Sequence, residues 1–144
     1  MKRRDFIRLS LAGAGMLTLN AAPLVAAESK NTELVGAGGL FYTEKSQGHW
    51  SGKAATHLPN VEIEKAATKI IVKVTTAHEM KEFEHYIVKH VVLDKNYQFL
   101  QEHFFNPTVD KVATSTFTLD NYSGTLHVLS VCNKHDAWLN SVDV

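Results

Sequence analysis

Five short runs rich in β-branched and aromatic residues dominate this chain from residue 68 onward. They are TKIIVKVTT (68–76), HYIVKHVVL (85–93), YQFLQEHFF (97–105), KVATSTFTL (111–119) and GTLHVLSVC (124–132). Asp94-Lys95-Asn96, Asn106-Pro107 and Asp120-Asn121-Tyr122-Ser123-Gly124 separate several of them. These residue types favour turns because they pre-set or tolerate the dihedrals a reversal needs. NVEIE (60–64) and AWLNSVDV (137–144) read as two further strands, and no stretch sustains the 3.6-residue period of an amphipathic helix. About seven short strands, spaced roughly 8–13 residues apart, predict an all-β sandwich.

The region before these strands has a different character. Residues 1–27, MKRRDFIRLSLAGAGMLTLNAAPLVAA, carry a basic head (Lys2, Arg3, Arg4, Arg8), a short apolar run and a small-residue site at Val25-Ala26-Ala27. That order is expected of a signal peptide, and the apolar run is too short to span a bilayer stably. Arg3-Arg4 followed by Asp5-Phe6-Ile7 resembles a twin-arginine signal, so the expected location is the periplasm, with no stable membrane span once the leader is removed. Residues 28–144 form the single expected domain, beginning with an arm (28–56) that holds at most one helical turn or a short strand. Without residues 1–27 the chain keeps 11 Lys/Arg against 14 Asp/Glu, a net charge of −3. No basic stripe alternates with aromatics, which argues against nucleic acid as a partner.

All eight histidines and the only cysteine lie beyond residue 27. A single cysteine rules out a disulfide within the chain, and a free thiol in an oxidising compartment calls for burial or a bond to something else. In a sandwich, strand ends and loops converge, so residues there are candidates for one site. His78 follows the run 68–76 and His85 opens the next, with a turn between them that lets both rings face one point. His57, in ATHLPN, is expected in extended backbone at a loop. Cys132 ends a run and His135 follows it, so the C-x-x-H spacing lets both bind one ion. Imidazole and thiolate together suit iron, copper or zinc, and five such donors exceed a tetrahedral zinc shell. His90, His103 and His127 lie inside runs with apolar neighbours and read as structural, while His49 stays unassigned.

These residues carry a family resemblance. VCNKHDAW (131–138) resembles the C-N-x-H-G-x-W signature of superoxide reductases, and HEMKEFEHYI (78–87) resembles their H-P-M-…-E-H-Y-I segment. GHWSGKAATHLPNVEIE (48–64) is similar to their W-K-x-E-K-H-V-P-x-I-E stretch. The resemblance implies the desulfoferrodoxin/neelaredoxin iron domain, a seven-stranded immunoglobulin-like sandwich. It is to the single-iron form, because the lone cysteine leaves none for the family's additional four-cysteine iron domain. It implies a mononuclear iron held by His57, His78, His85 and His135 around it, with Cys132 as the axial thiolate. The implied reaction is the one-electron reduction of superoxide to hydrogen peroxide, with an electron-donor protein as partner and a homo-oligomer as a further expectation. Loading before folded export would explain how the thiol survives.

The sequence also departs from that pattern. The family's Glu-Lys pair before the first histidine is replaced by Ala55-Thr56, so Lys53 and Lys134 are the candidate electrostatic substitutes for the lysine. Glu79 stands where the family has Pro, the His78–His85 interval is one residue longer, and Asp136 replaces a Gly. Two alternatives follow. One is a non-catalytic iron-binding, redox-sensing or sulfur-oxidation accessory protein of the same fold. The other is a blue-copper carrier using His85, Cys132 and His135, although no Met follows His135 as an axial ligand.

Overall fold

Period-two alternation decides which side of each strand faces inward. In β5 (Ala113–Asp120) it is unbroken: Ala113, Ser115, Phe117 and Leu119 are buried, and Thr114, Thr116, Thr118 and Asp120 are exposed. β2 (Lys69–Thr76) keeps the same rhythm, burying Ile70, Val72, Val74 and Thr76. The computed structural model describes residues 34–144, so the leader predicted at 1–27 and the first residues of the arm lie outside the described residues. The remaining strands are β1 (Asn60–Lys65), β3 (Ile87–Leu93), β4 (Phe99–Phe104), β6 (Thr125–Cys132) and β7 (Asp136–Asp143).

All neighbouring strands pair antiparallel, in a three-stranded sheet ordered β1-β2-β5 and a four-stranded sheet ordered β4-β3-β6-β7. The chain changes sheet after β2, β4 and β5, which is the Greek-key habit of immunoglobulin-like sandwiches. Ile70, Val72, Val74, Phe117 and Leu119 of one sheet meet Val92, Leu126 and Val128 of the other in a single buried cluster. Each such side chain contributes about 1.5–3 kcal/mol by leaving water, and together they hold the two sheets face to face.

Two local features differ from the sequence reading. β3 begins at Ile87 rather than His85 and bulges between Ile87 and Lys89. A continuous strand would point Ile87 and His90 to opposite faces; the bulge adds one residue and buries both. The arm, in turn, is more ordered than expected from residue 34 onward. Tyr42 exchanges backbone hydrogen bonds with the β7 edge (Tyr42 N to Ala137 O 2.9 Å, Leu139 N to Tyr42 O 2.8 Å) and is itself buried. A 3₁₀ turn (Gly48–Trp50) follows, and a Cβ on Gly48, at φ 50°, would collide with the Gly38 carbonyl. A one-turn helix, α1 (Ala54–His57), then crosses to β6.

Candidate metal centre

Four strand ends meet at one end of the sandwich, and each delivers a donor. β2 stops at Thr76, where His78 N bonds back to Thr76 O at 2.8 Å and turns the chain. His78 thereby points inward and is buried. A tight loop closed by Lys81 N to His85 O (2.9 Å) returns His85 to the start of β3. β6 ends at Cys132, which pairs with Ile87 on one side and Asp136 on the other. The three-residue turn Asn133-Lys134-His135 then leads into β7, with Asp136 in the left-handed conformation (φ 61°) that such a hairpin needs. Asp accepts this conformation more readily than most residues, so the Gly-to-Asp departure is accommodated.

His57 arrives from the other side. It is the last residue of α1, not part of an extended loop as expected. The restriction imposed by Pro59 falls on Leu58, which takes the extended conformation (φ −67°, ψ 129°) and leaves His57 free to finish the helical turn.

The donor atoms of His57, His78, His85, Cys132 and His135 all lie within 4.8 Å of one another. The ring nitrogens form an ordered circuit: His57 Nε2 to His135 Nδ1 is 2.9 Å, His135 Nδ1 to His85 Nε2 3.1 Å, and His85 Nε2 to His78 Nε2 3.0 Å. His57 and His85 are diagonal, with ring centroids 6.2 Å apart against 4.4–4.9 Å for adjacent pairs. Cys132 Sγ caps this square, 3.7 Å from His78 Nε2 and 3.6 Å from His135 Nδ1. Lys134 N donates to the sulfur at 3.4 Å.

The donor set fits a metal ion on three counts. Nitrogens about 3.0 Å apart are what one ion at bond lengths of about 2.1 Å requires of ligands at right angles. The second is tautomer control: His57 Nδ1 donates to Lys53 O at 3.0 Å, and His78 Nδ1 donates to Glu79 O. With the proton held on Nδ1, the Nε2 lone pairs of both rings point into the cluster. The third is charge. Burial is the main reason that all four imidazoles stay below the ordinary histidine range, His57 falling to about 4. The positive charges of Lys53 and Lys134 push His135 further down. Neutral rings with inward lone pairs bind a cation without first losing protons.

The other four histidines lie outside this cluster. His90 is sealed between the sheets, His127 bonds Ser141 at 2.7 Å and stacks on Tyr97, and His103 sits on exposed β4. His49 lies against Trp50 and close to Asp136. Four converging imidazoles also exceed the trigonal two-histidine set of a blue-copper site. Met80 packs on the apolar cluster that contains Cys132.

Sequence reasoning missed several supporting residues. Asn133 binds Tyr86 N through Oδ1 (3.0 Å) and donates Nδ2 to Phe83 O (3.3 Å) and Glu84 O (3.1 Å), tying the His85 loop to the cysteine turn. Trp138 Nε1 donates to His135 O at 2.9 Å. Thr56, at the family's lysine position, places its hydroxyl 2.8 Å from His57 Nδ1. The Asn and Trp of the quoted C-N-x-H-G-x-W signature were the available signal for the first two.

Residues 49–141 match the family model described as Desulfoferrodoxin. Two structures of superoxide reductase (neelaredoxin) from Ignicoccus hospitalis are 28% and 27% identical to this chain, with TM-scores of 0.64 and 0.61. They cover 73% of this chain and 93% and 94% of their own. A superoxide reductase solved in the oxidized state is 25% identical, covers 67% of this chain and 93% of its own, and has a TM-score of 0.53. A search of curated proteins gives no match.

Proposed function

The chain belongs to the desulfoferrodoxin family, and on that premise we propose that it is a superoxide reductase-like protein holding one iron through His57, His78, His85, His135 and Cys132. The observation that carries this reading is the square of four inward-facing imidazole nitrogens capped by one thiol. When bound, iron supplies the single electron that, with two protons, converts superoxide to hydrogen peroxide. The chain's own residues set the conditions. Cys132, itself buried, would supply the iron with a thiolate, an electron-rich donor, beside the four imidazoles. Lys53 and Lys134, whose charges reach His135, attract the anion. An electron-donor protein restores the reduced state. Arg3-Arg4 and the apolar run after them support export of the folded protein.

Thr56 favours a second reading. Its hydroxyl is engaged with His57 where the family carries a lysine, which suits an iron-binding protein with little turnover.

Metal analysis and an optical spectrum of the anaerobically purified protein test the assignment. One iron per chain and a red thiolate charge-transfer band after oxidation are expected. Cys132→Ser should keep the fold and lose the band, because a hydroxyl does not replace a thiolate donor. Colour that survives in Cys132→Ser removes this residue from the site. Iron with a normal band but no superoxide reduction selects the second reading.

A further inference from the structure

Asp136 occupies a backbone conformation, φ 61°, that glycine adopts without cost. Its side chain reaches a residue 86 positions away: Trp50 Nε1 donates to Asp136 Oδ2 at 2.8 Å. The Trp50 ring stands perpendicular to the His135 imidazole, at 86° with centroids 4.7 Å apart. His49 backs this arrangement, 4.4 Å from Trp50 ring to ring and 3.9 Å from the same carboxylate oxygen. Tyr42 OH lies 3.3 Å from His49 Nδ1 and so joins the assembly to the buried Tyr42. His57 and His78 have their rings oriented by backbone carbonyls. His135 has its carbonyl held by Trp138 and its ring flanked by Trp50.

We propose that Asp136 is a positioning residue for His135: by gripping the Trp50 indole it holds that ring against the imidazole, so that Nδ1 stays turned into the cluster. The inference rests on reading His135 as a metal ligand. It gives a physical reason for an aspartate at a position where glycine would relieve the backbone. The two departures from the quoted family pattern act together. Trp50 stands seven residues before His57 instead of five, and Asp136 replaces the Gly after His135.

The test uses the iron-loaded protein and four variants: Asp136→Gly, Asp136→Asn, Trp50→Leu and the double variant Asp136→Gly/Trp50→Leu. The readouts are the rate at which a competing chelator strips iron, the tryptophan emission and the Tm. Supporting-residue changes of this kind typically weaken metal retention by about 10–100-fold. Asp136→Gly and Trp50→Leu should each release iron about 10-fold faster, and the double variant no faster than either single one. Asp136→Asn retains an oxygen that accepts the indole N–H, so its release rate should stay within about 2-fold of wild type. Trp50 emission should move to the red in Asp136→Gly, with Trp50→Leu defining the Trp138 background. A merely structural role predicts otherwise: Asp136→Gly relieves the backbone, raises Tm and leaves release unchanged. That result overturns the proposal while leaving the iron assignment standing, as does Asp136→Asn releasing as fast as Asp136→Gly. A wild type that takes up no iron overturns both.

Discussion

Lys53 and Lys134 both press on His135 electrostatically, yet they are not equivalent. Lys134 Nζ lies 3.8 Å from Glu84 Oε1, which cancels part of its field, whereas Lys53 has no ion pair among the described residues. If attraction of an anion speeds the reaction, Lys53→Ala should slow superoxide reduction several-fold and flatten its dependence on ionic strength. Lys134→Ala should do less. Steering acts over a screening length of about 10 Å at 0.1 M salt, so pulse radiolysis across a salt series reads it directly. Equal slopes for wild type and both variants would remove lysine-assisted capture. Thr56→Lys restores the family's charge, but it also removes the hydroxyl beside His57 Nδ1. It should therefore combine faster capture with weaker iron retention.

At the scale of elements, the site depends on how two loops are tied. The segment from His78 to His85 is one residue longer than the family pattern, and Asn133 ties it to the cysteine turn with three side-chain hydrogen bonds to residues 83–86. Asn133→Ala should cost about 1 kcal/mol of stability, the usual net worth of such bonds at an accessible position. Its larger effect should be local. Amide hydrogen exchange across residues 81–86 should rise, and iron should be lost faster, because His85 is no longer held over Cys132. Unchanged exchange in that loop would show that the Lys81–His85 backbone bonds suffice without Asn133.

Across the whole molecule, the most consequential buried polar group is His90. It lies fully buried between the sheets, 2.9 Å from Thr76 Oγ1 and 2.8 Å from Ser115 Oγ, and Thr76 in turn donates to Ser130 at 2.8 Å. Because the Thr76 proton goes to Ser130, His90 Nε2 carries the hydrogen and Nδ1 accepts from Ser115. Burial, with the nearby His103, pushes its pKa down to about 3. The folded state thus keeps His90 neutral where the unfolded chain, near 6.5, takes up a proton. The unfolded state binds more protons below about pH 6.5, so stability is complete above that value and falls as pH drops toward about 3. His57, lowered to about 4, adds with the same sign. Denaturant titrations from about pH 7 to about pH 4 should show a loss on the order of a few kcal/mol, and His90→Leu should have a shallower pH slope. Equal slopes would place the acid sensitivity elsewhere.

Alternation in the runs 68–76 and 111–119 determined β2 and β5 and their buried faces, because a side chain's side of the sheet follows directly from period two. C-x-x-H at the end of one run and histidines flanking the turn between two others marked four of the five donors, since strand ends share one end of a sandwich, and ATHLPN marked His57 as the fifth. The rest required the third dimension. Nothing local announces the bulge at Ile87–Lys89 that buries His90, or the helical turn that presents His57. The contact of Trp50 with Asp136 joins residues 86 positions apart, and only the packing of the arm against β7 brings them together. A sequence pattern encodes periodic and neighbouring relations, whereas partners distant in the chain are chosen by which surfaces bury each other.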